Sequence, residues 1–149
     1  ILEKKRGPEH PALAHIIGKL AALCIELEME PEAVPLYERL VRIQEKTLRP
    51  THPQLVINLN NLAEAYRLQG RYAEAEACYQ KTLRINEEIN GAEHPSVAAI
   101  LQELAKLCTS QRKADEAKAY QERATAIFQK SVEAAEQKTG AGALTLELS

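Results

Sequence analysis

The chain has 149 residues, within reach of a single domain, and its 19 Lys and Arg against 21 Asp and Glu give a formal net charge of −2. That balance lacks the basic excess with which a dedicated nucleic-acid binder displaces counterions, and an apolar content of 45 % is too high for a disordered segment. No apolar run approaches the roughly 20 residues of a membrane-spanning helix, and no secretory leader pattern is present in these residues. Cys24, Cys78 and Cys108 are too few and too scattered for a disulfide framework or a zinc cluster, which points to a reducing, cytoplasmic setting.

His-Pro recurs at His10-Pro11, His52-Pro53 and His94-Pro95, 42 residues apart each time. Ile1, Ile43, Ile85 and Ile127 keep the same phase, as do Leu20, Leu62 and Leu104, then Ala21, Ala63 and Ala105, then Ala33, Ala75 and Ala117. A fixed period of this length predicts a stacked, all-α solenoid, because one such unit cannot bury its apolar face alone. Residues 1–6 come first. The segment Ile1 through Pro11 aligns with Ile43 through Pro53, so residues 1–6 read as the end of a preceding repeat's second helix. The expectation is a piece of a longer array whose first helix exposes a face that an earlier repeat would cover.

Repeat one spans residues 7–48. Its turn, Met29-Glu30-Pro31, has no glycine; Pro31 can open the second helix, and Pro35 falls in an early turn where proline is tolerable. Repeat two spans 49–90. Leu55, Leu59, Leu62, Ala63 and Tyr66 recur at helical spacing and predict helix A over about 53–69, with Pro53 at its first position and Gly70 at its end. Ala75, Tyr79, Leu83 and Ile85 predict helix B over about 72–89, and the two- or three-residue link makes A and B antiparallel. Repeat three spans 91–132 and carries Arg112 where repeat two has Gly70. Residues 133–149 are expected to extend helix B to about Gln137 and then break at Thr139-Gly140-Ala141-Gly142. Beyond lies an alternating Leu144, Leu146 and Leu148, which reads either as a frayed tail or as a segment that docks on a groove.

Leu62-Ala63, Tyr66, Gly70, Tyr72, Ala75 and Tyr79 fall at the signature positions of the tetratricopeptide repeat, which the chain resembles over residues 1–132. The 42-residue period, the His-Pro pairs and Leu59-Asn60-Asn61-Leu62-Ala63 resemble more narrowly the kinesin light chain and nephrocystin branch. Cys24 and Cys108 at the Tyr66 position, and Gln121 at the Tyr79 position, depart from the pattern. The resemblance implies a right-handed superhelix of three repeats and a protein–protein interaction module, an adaptor or scaffold that takes a partner's peptide in a concave groove lined by the A helices. The alternative is self-association, or service as the sensor arm of a larger signalling protein such as one fused to an ATPase.

Since Leu62 and Ala63 pack inward, the opposite stripe of helix A faces that groove: Ile57, Asn60, Asn61, Glu64, Arg67 and Leu68. The equivalents are His15, Gly18, Lys19, Ala22 and Ile25 in repeat one, and Ala99, Gln102, Glu103, Lys106 and Thr109 in repeat three. Asn60 and Asn61 stand out, because Asn is a mediocre helix former whose amide can pair with any peptide backbone. In kinesin light chains the matching Asn, and an Arg six residues later, belong to the cargo-peptide groove; here these are Asn61 and Arg67. Lys19, Arg67 and Lys106 could suit an acidic peptide, a reading that Glu64 and Glu103 weaken. Related co-chaperones hold a chaperone's terminal carboxylate with basic residues on the outer A helices. The corresponding positions here are Gly18, Ala22, Ala99 and Glu103, so that ligand is not expected. The His-Pro residues sit on successive rungs, too far apart to share an ion, and read as helix starts. Cys24 and Cys108 share one packing position. No nucleophile set or phosphate loop is recognisable, so neither an enzyme nor a cofactor is expected.

Overall fold

The computed structural model describes residues 11–148, except the side chains of Pro11, Glu30 and 140–148. Residues 1–6 and His10 lie outside the described residues. Among the described residues six helices follow one another: α1 (Pro11–Glu26), α2 (Glu30–Thr47), α3 (Pro53–Leu68), α4 (Tyr72–Asn90), α5 (Pro95–Ser110) and α6 (Ala114–Leu148). Each packs chiefly against its neighbours in sequence, so the hairpins α1–α2, α3–α4 and α5–α6 are joined through α2–α3 and α4–α5. The chain is an all-α solenoid of three A/B hairpins.

The 42-residue phase is visible in the core. Ala21, Ala63 and Ala105 on the A helices and Ala33, Ala75 and Ala117 on the B helices are all buried, so each hairpin closes over small side chains. Leu40, Leu59, Leu101 and Leu107 fill the space around them. Leu20 breaks the pattern. It is 48 % exposed, where its equivalents Leu62 and Leu104 are 5 % and 0 %.

All three A-to-B turns have the same hydrogen bonding. Met29 N–H donates to Cys24 C=O at 2.7 Å, Arg71 to Tyr66 at 2.9 Å, and Lys113 to Cys108 at 2.8 Å. One residue earlier, Glu28, Gly70 and Arg112 each donate to the carbonyl three residues back, which completes a Schellman cap. The capping residue takes the left-handed conformation each time, with φ of 58°, 72° and 60°, yet only repeat two places glycine there. A side chain at such a φ costs roughly 1 kcal/mol. Arg112→Gly is therefore expected to raise stability by about 0.5–1 kcal/mol, and Gly70→Ala to lower it by about 1 kcal/mol, both read from urea midpoints.

The His-Pro pairs have a local explanation. His52 Nδ1 accepts from the N–H of Gln54 at 3.0 Å, and His94 Nδ1 from Ser96 at 3.1 Å, while Pro53 and Pro95 occupy the first helical position. The imidazole does the work of a Ser or Asp cap. His94→Ala should cost about 1 kcal/mol in thermal unfolding, whereas His94→Asn should cost little.

Pro31 stands in the first turn of α2 and Pro35 in its second, so the carbonyl of Pro31 forgoes its intrahelical donor. One sequence expectation fails: the helix does not break after Gln137, and α6 continues through Gly140 and Gly142 to Leu148. Glycine costs only about 1 kcal/mol in a helix interior, and Ala134, Ala135, Ala141 and Ala143 are strong helix formers around it. The alternation of Leu144, Leu146 and Leu148 is therefore carried on a helix rather than an extended strand.

Candidate functional site

Two clefts open between successive A helices. The first, of about 630 Å³, lies between α1 and α3. Ala14, His15, Gly18, Lys19 and Ala22 line it from α1, and Ile57, Asn58 and Asn61 from α3. Its floor is Leu40 and Gln44 of α2, both buried, and its far rim is Leu48 and the cap residue His52. A Cβ at Gly18 would make only an ordinary van der Waals contact, 3.5 Å to Leu40 Cδ2.

The polar part of this cleft is a line of amides. Asn58 Nδ2 donates to Gln44 Oε1 at 2.9 Å in the buried α2–α3 joint. Asn61 Nδ2 makes a longer contact, 3.5 Å, to Asn58 Oδ1. Asn61 itself is half-buried. An amide held by another amide presents a fixed acceptor to whatever enters the cleft.

The second cleft, about 570 Å³, lies between α3 and α5 and is lined by Glu64, Arg67, Tyr79, Glu103, Lys106, Leu107 and Ser110. It is zwitterionic. Arg67 Nε donates to Glu64 at 2.9 Å and its Nη2 to the other carboxylate oxygen, a bidentate pair. Lys106 Nζ donates to Glu103 at 2.9 Å. The hydrogen bond from Arg67 holds the Glu64 carboxyl below the usual carboxylate range and pushes the guanidinium up. Burial, with Glu64 nearby, raises the Tyr79 phenol.

The predicted groove residues divide between these clefts. His15, Lys19, Ile57 and Asn61 meet in the first; Glu64, Arg67 and Lys106 meet in the second. Asn60 and Gln102 line neither. Gln102 is exposed on α5, and Asn60 Oδ1 is buried with no hydrogen-bond partner among the described residues. Sequence reasoning assigned the groove to A helices alone and missed Gln44, Leu48, His52 and Asn58. A signal existed: Asn58 stands at the position of Ile16 and Ile100, a polar residue on an otherwise apolar repeat position. Lys19 has no carboxylate partner among the described residues, whereas Arg67 and Lys106 are each paired three residues back.

The buried cysteines pack as the repeat predicted. Cys24 and Cys108 occupy the A-helix core, and burial pushes the Cys108 thiol up. Cys108 Sγ, Glu76 and Glu116 come within 4.8 Å of one another, but Glu76 is already engaged by Gln111 at 2.8 Å and Lys113 at 3.3 Å. No helix among the described residues is long and apolar enough to cross a membrane.

The family model for the tetratricopeptide repeat matches residues 16–85 and 54–130. No curated protein matches the sequence. Among solved structures, nearly identical TPR-like repeats of a kinesin light chain from Podosopora anserina superpose with a TM-score of 0.75 at 32 % identity, covering 87 % of this chain and 62 % of that one. BtubC (BKLC) from P. vanneervenii gives 0.72 at 26 % identity over 79 % of this chain and 46 % of its own. The N-terminal domain of stress-induced protein-1 from C. elegans gives 0.62 at 15 % identity, over 78 % of this chain and 85 % of its own, and shares the fold. The chain thus spans less than two thirds of the length of the first two of these structures. The repeat pattern, the three Schellman-capped hairpins and the family match agree: the chain belongs to the tetratricopeptide repeat family, with repeats of the kinesin light chain type.

Proposed function

We propose that this chain is an adaptor that holds an extended peptide segment of a partner protein along the channel formed by the two A-helix clefts. Tetratricopeptide arrays are general protein–protein interaction modules. The observation that carries the reading is the first cleft: an apolar trough with Asn61 braced at its wall and His15 and Lys19 at its rim. A peptide crossing it would bury an apolar side chain over Leu40 and Ile57 and pair its backbone with Asn61. Farther along, a peptide would pass Arg67 and Lys106.

Acidic character in the peptide is favoured mainly at Lys19. An acidic side chain at Arg67 or Lys106 gains less, because Glu64 and Glu103 already pair with those cations. Catalysis and a bound cofactor are outside this reading, and the free thiols Cys24, Cys78 and Cys108 suit a cytoplasmic home.

The test is capture of partners on immobilised wild type against an Asn61→Ala, Arg67→Ala double variant, after both show equal helicity and melting temperature. Arg67 pairs at the surface and Asn61 makes only a long contact, so stability should move by less than about 1 kcal/mol. Partners lost on the double variant alone support the channel. Retention of every partner refutes it. A peptide ending in a chaperone's terminal carboxylate should show no binding in calorimetry, because Gly18, Ala22, Ala99 and Glu103 offer it no basic clamp.

A further inference from the structure

The second cleft carries four charges that can pair in two ways. Glu64 and Arg67 stand on α3, Glu103 and Lys106 on α5, and each pair is closed within its own helix at a spacing of three residues. Lys106 follows Glu64 by 42 residues and holds the same position in the next repeat, which sets opposite charges on the two walls of the cleft. Arg67 and Glu103, each one helical turn from those two, are opposite in sign as well. The charges already act across the gap. Beyond the hydrogen bond between Glu64 and Arg67, which dominates both shifts, Lys106 helps to hold the Glu64 carboxyl down and Glu103 adds to the rise at the Arg67 guanidinium.

The two walls are tied to different partners. On the B-helix side ion pairs join one repeat to the next: Lys81 of α4 meets Glu45 of α2, and Arg123 of α6 meets Glu87 of α4, the same positions one repeat on. α3 and α5 each pack chiefly on the B helices beside them, and the cleft of about 570 Å³ lies between their A-helix faces. A small rotation about the B-helix side therefore brings α5 toward α3 and leaves each hairpin intact. Either pairing engages both cations and both carboxylates, at exposed or half-buried positions. Exchange keeps the number of ion pairs, and pairs so placed contribute little each, so the two arrangements lie close in energy.

We propose that Glu64, Arg67, Glu103 and Lys106 form a two-way latch on the second cleft. Paired within their own helices they leave it open, which is the arrangement in the structure. Paired crosswise, Arg67 with Glu103 and Lys106 with Glu64, they draw α5 onto α3 and shut it. The exchange belongs to the chain alone. Its use rests on the adaptor reading: the shut form leaves a partner's segment only the first cleft, so the latch sets how far along the channel that segment can run.

Distance measurement by double electron–electron resonance on the 149-residue chain, without any partner, tests the latch apart from peptide binding. The spin labels sit on acetylphenylalanine at Leu68 of α3 and Gln102 of α5, exposed residues outside the cleft lining. Exchanging the α3 charges, Glu64→Arg with Arg67→Glu, keeps a pair within that helix and sets like charges across the cleft. Exchanging the α5 charges as well, Glu103→Lys with Lys106→Glu, restores opposite charges across it. The wild-type distribution should contain a shorter α3–α5 distance that the α3 exchange abolishes and the fourfold exchange brings back. The α5 exchange alone should act as the α3 exchange does, and it carries the test if the α3 variant loses helicity in circular dichroism. A distribution that neither single-helix exchange alters overturns the latch. So does a shorter distance that stays lost in the fourfold exchange, since the effect would then come from the side chains and not from their pairing.

Discussion

Leu104→Ala is expected to lower unfolding free energy by about 2–5 kcal/mol, and Leu20→Ala, at the same repeat position, by less than about 0.5 kcal/mol. Leu104 is completely buried between α4 and α6, and its truncation loses transfer energy and leaves a cavity that close-packed neighbours cannot fill. Leu20 is 48 % exposed and already surrounded by water on one side. Leu62, at 5 % exposure, should behave like Leu104. Urea unfolding followed by circular dichroism separates the cases. Equal losses at Leu20 and Leu104 would contradict the difference in burial between the two positions.

Asn58→Ala is expected to cost about 1–3 kcal/mol, well above the effect of removing a surface amide. Asn58 is buried, and its loss strands the Gln44 amide in the α2–α3 joint without its donor. Replacing both, Gln44→Leu with Asn58→Leu, should recover most of that loss, since exchanging both partners for apolar groups removes the desolvation penalty. The second joint already has Ile100 at the Asn58 position. A double-mutant cycle reads the coupling directly. The recovered protein would still lack the brace behind Asn61, so its stability and its peptide affinity should part company. Affinity equal to wild type in the Leu/Leu variant would show that the amide relay has no part in recognition.

Much of the fold is legible in three His-Pro pairs and one spacing. His52-Pro53 and His94-Pro95 mark helix starts because His caps and Pro fits the first turn, and the repeated phase of Ala63 and Ala75 marks where hairpins close. The turn geometry is less legible. Glu28 and Arg112 adopt the same left-handed conformation as Gly70, since the Schellman bonds and the packing on either side outweigh a strain of roughly 1 kcal/mol. The course of α6 is also less legible, because the alanines around Gly140 and Gly142 outweigh the turn tendency of the glycines.

The site divides similarly. Helical spacing alone finds His15, Lys19, Ile57 and Asn61, which share a cleft, because an exposed stripe follows from the position of the buried one. It cannot find Gln44 or His52, which reach the cleft through the joint between repeats rather than along one helix. Nor does spacing reveal that Arg67 and Lys106 are each paired. Glu64 and Glu103 lie at the right separation, but a pair forms only where rotamers and neighbours permit.

The most direct test of the channel is photo-crosslinking with a benzoylphenylalanine placed at Ile57, half-exposed in the first cleft, and separately at Arg84, exposed on the opposite, B-helix side. A partner retained by the wild-type protein should crosslink from position 57 and not from position 84, at a single site in an extended stretch of its sequence. Crosslinking from position 84 alone would put the working surface on the B helices and contradict the account.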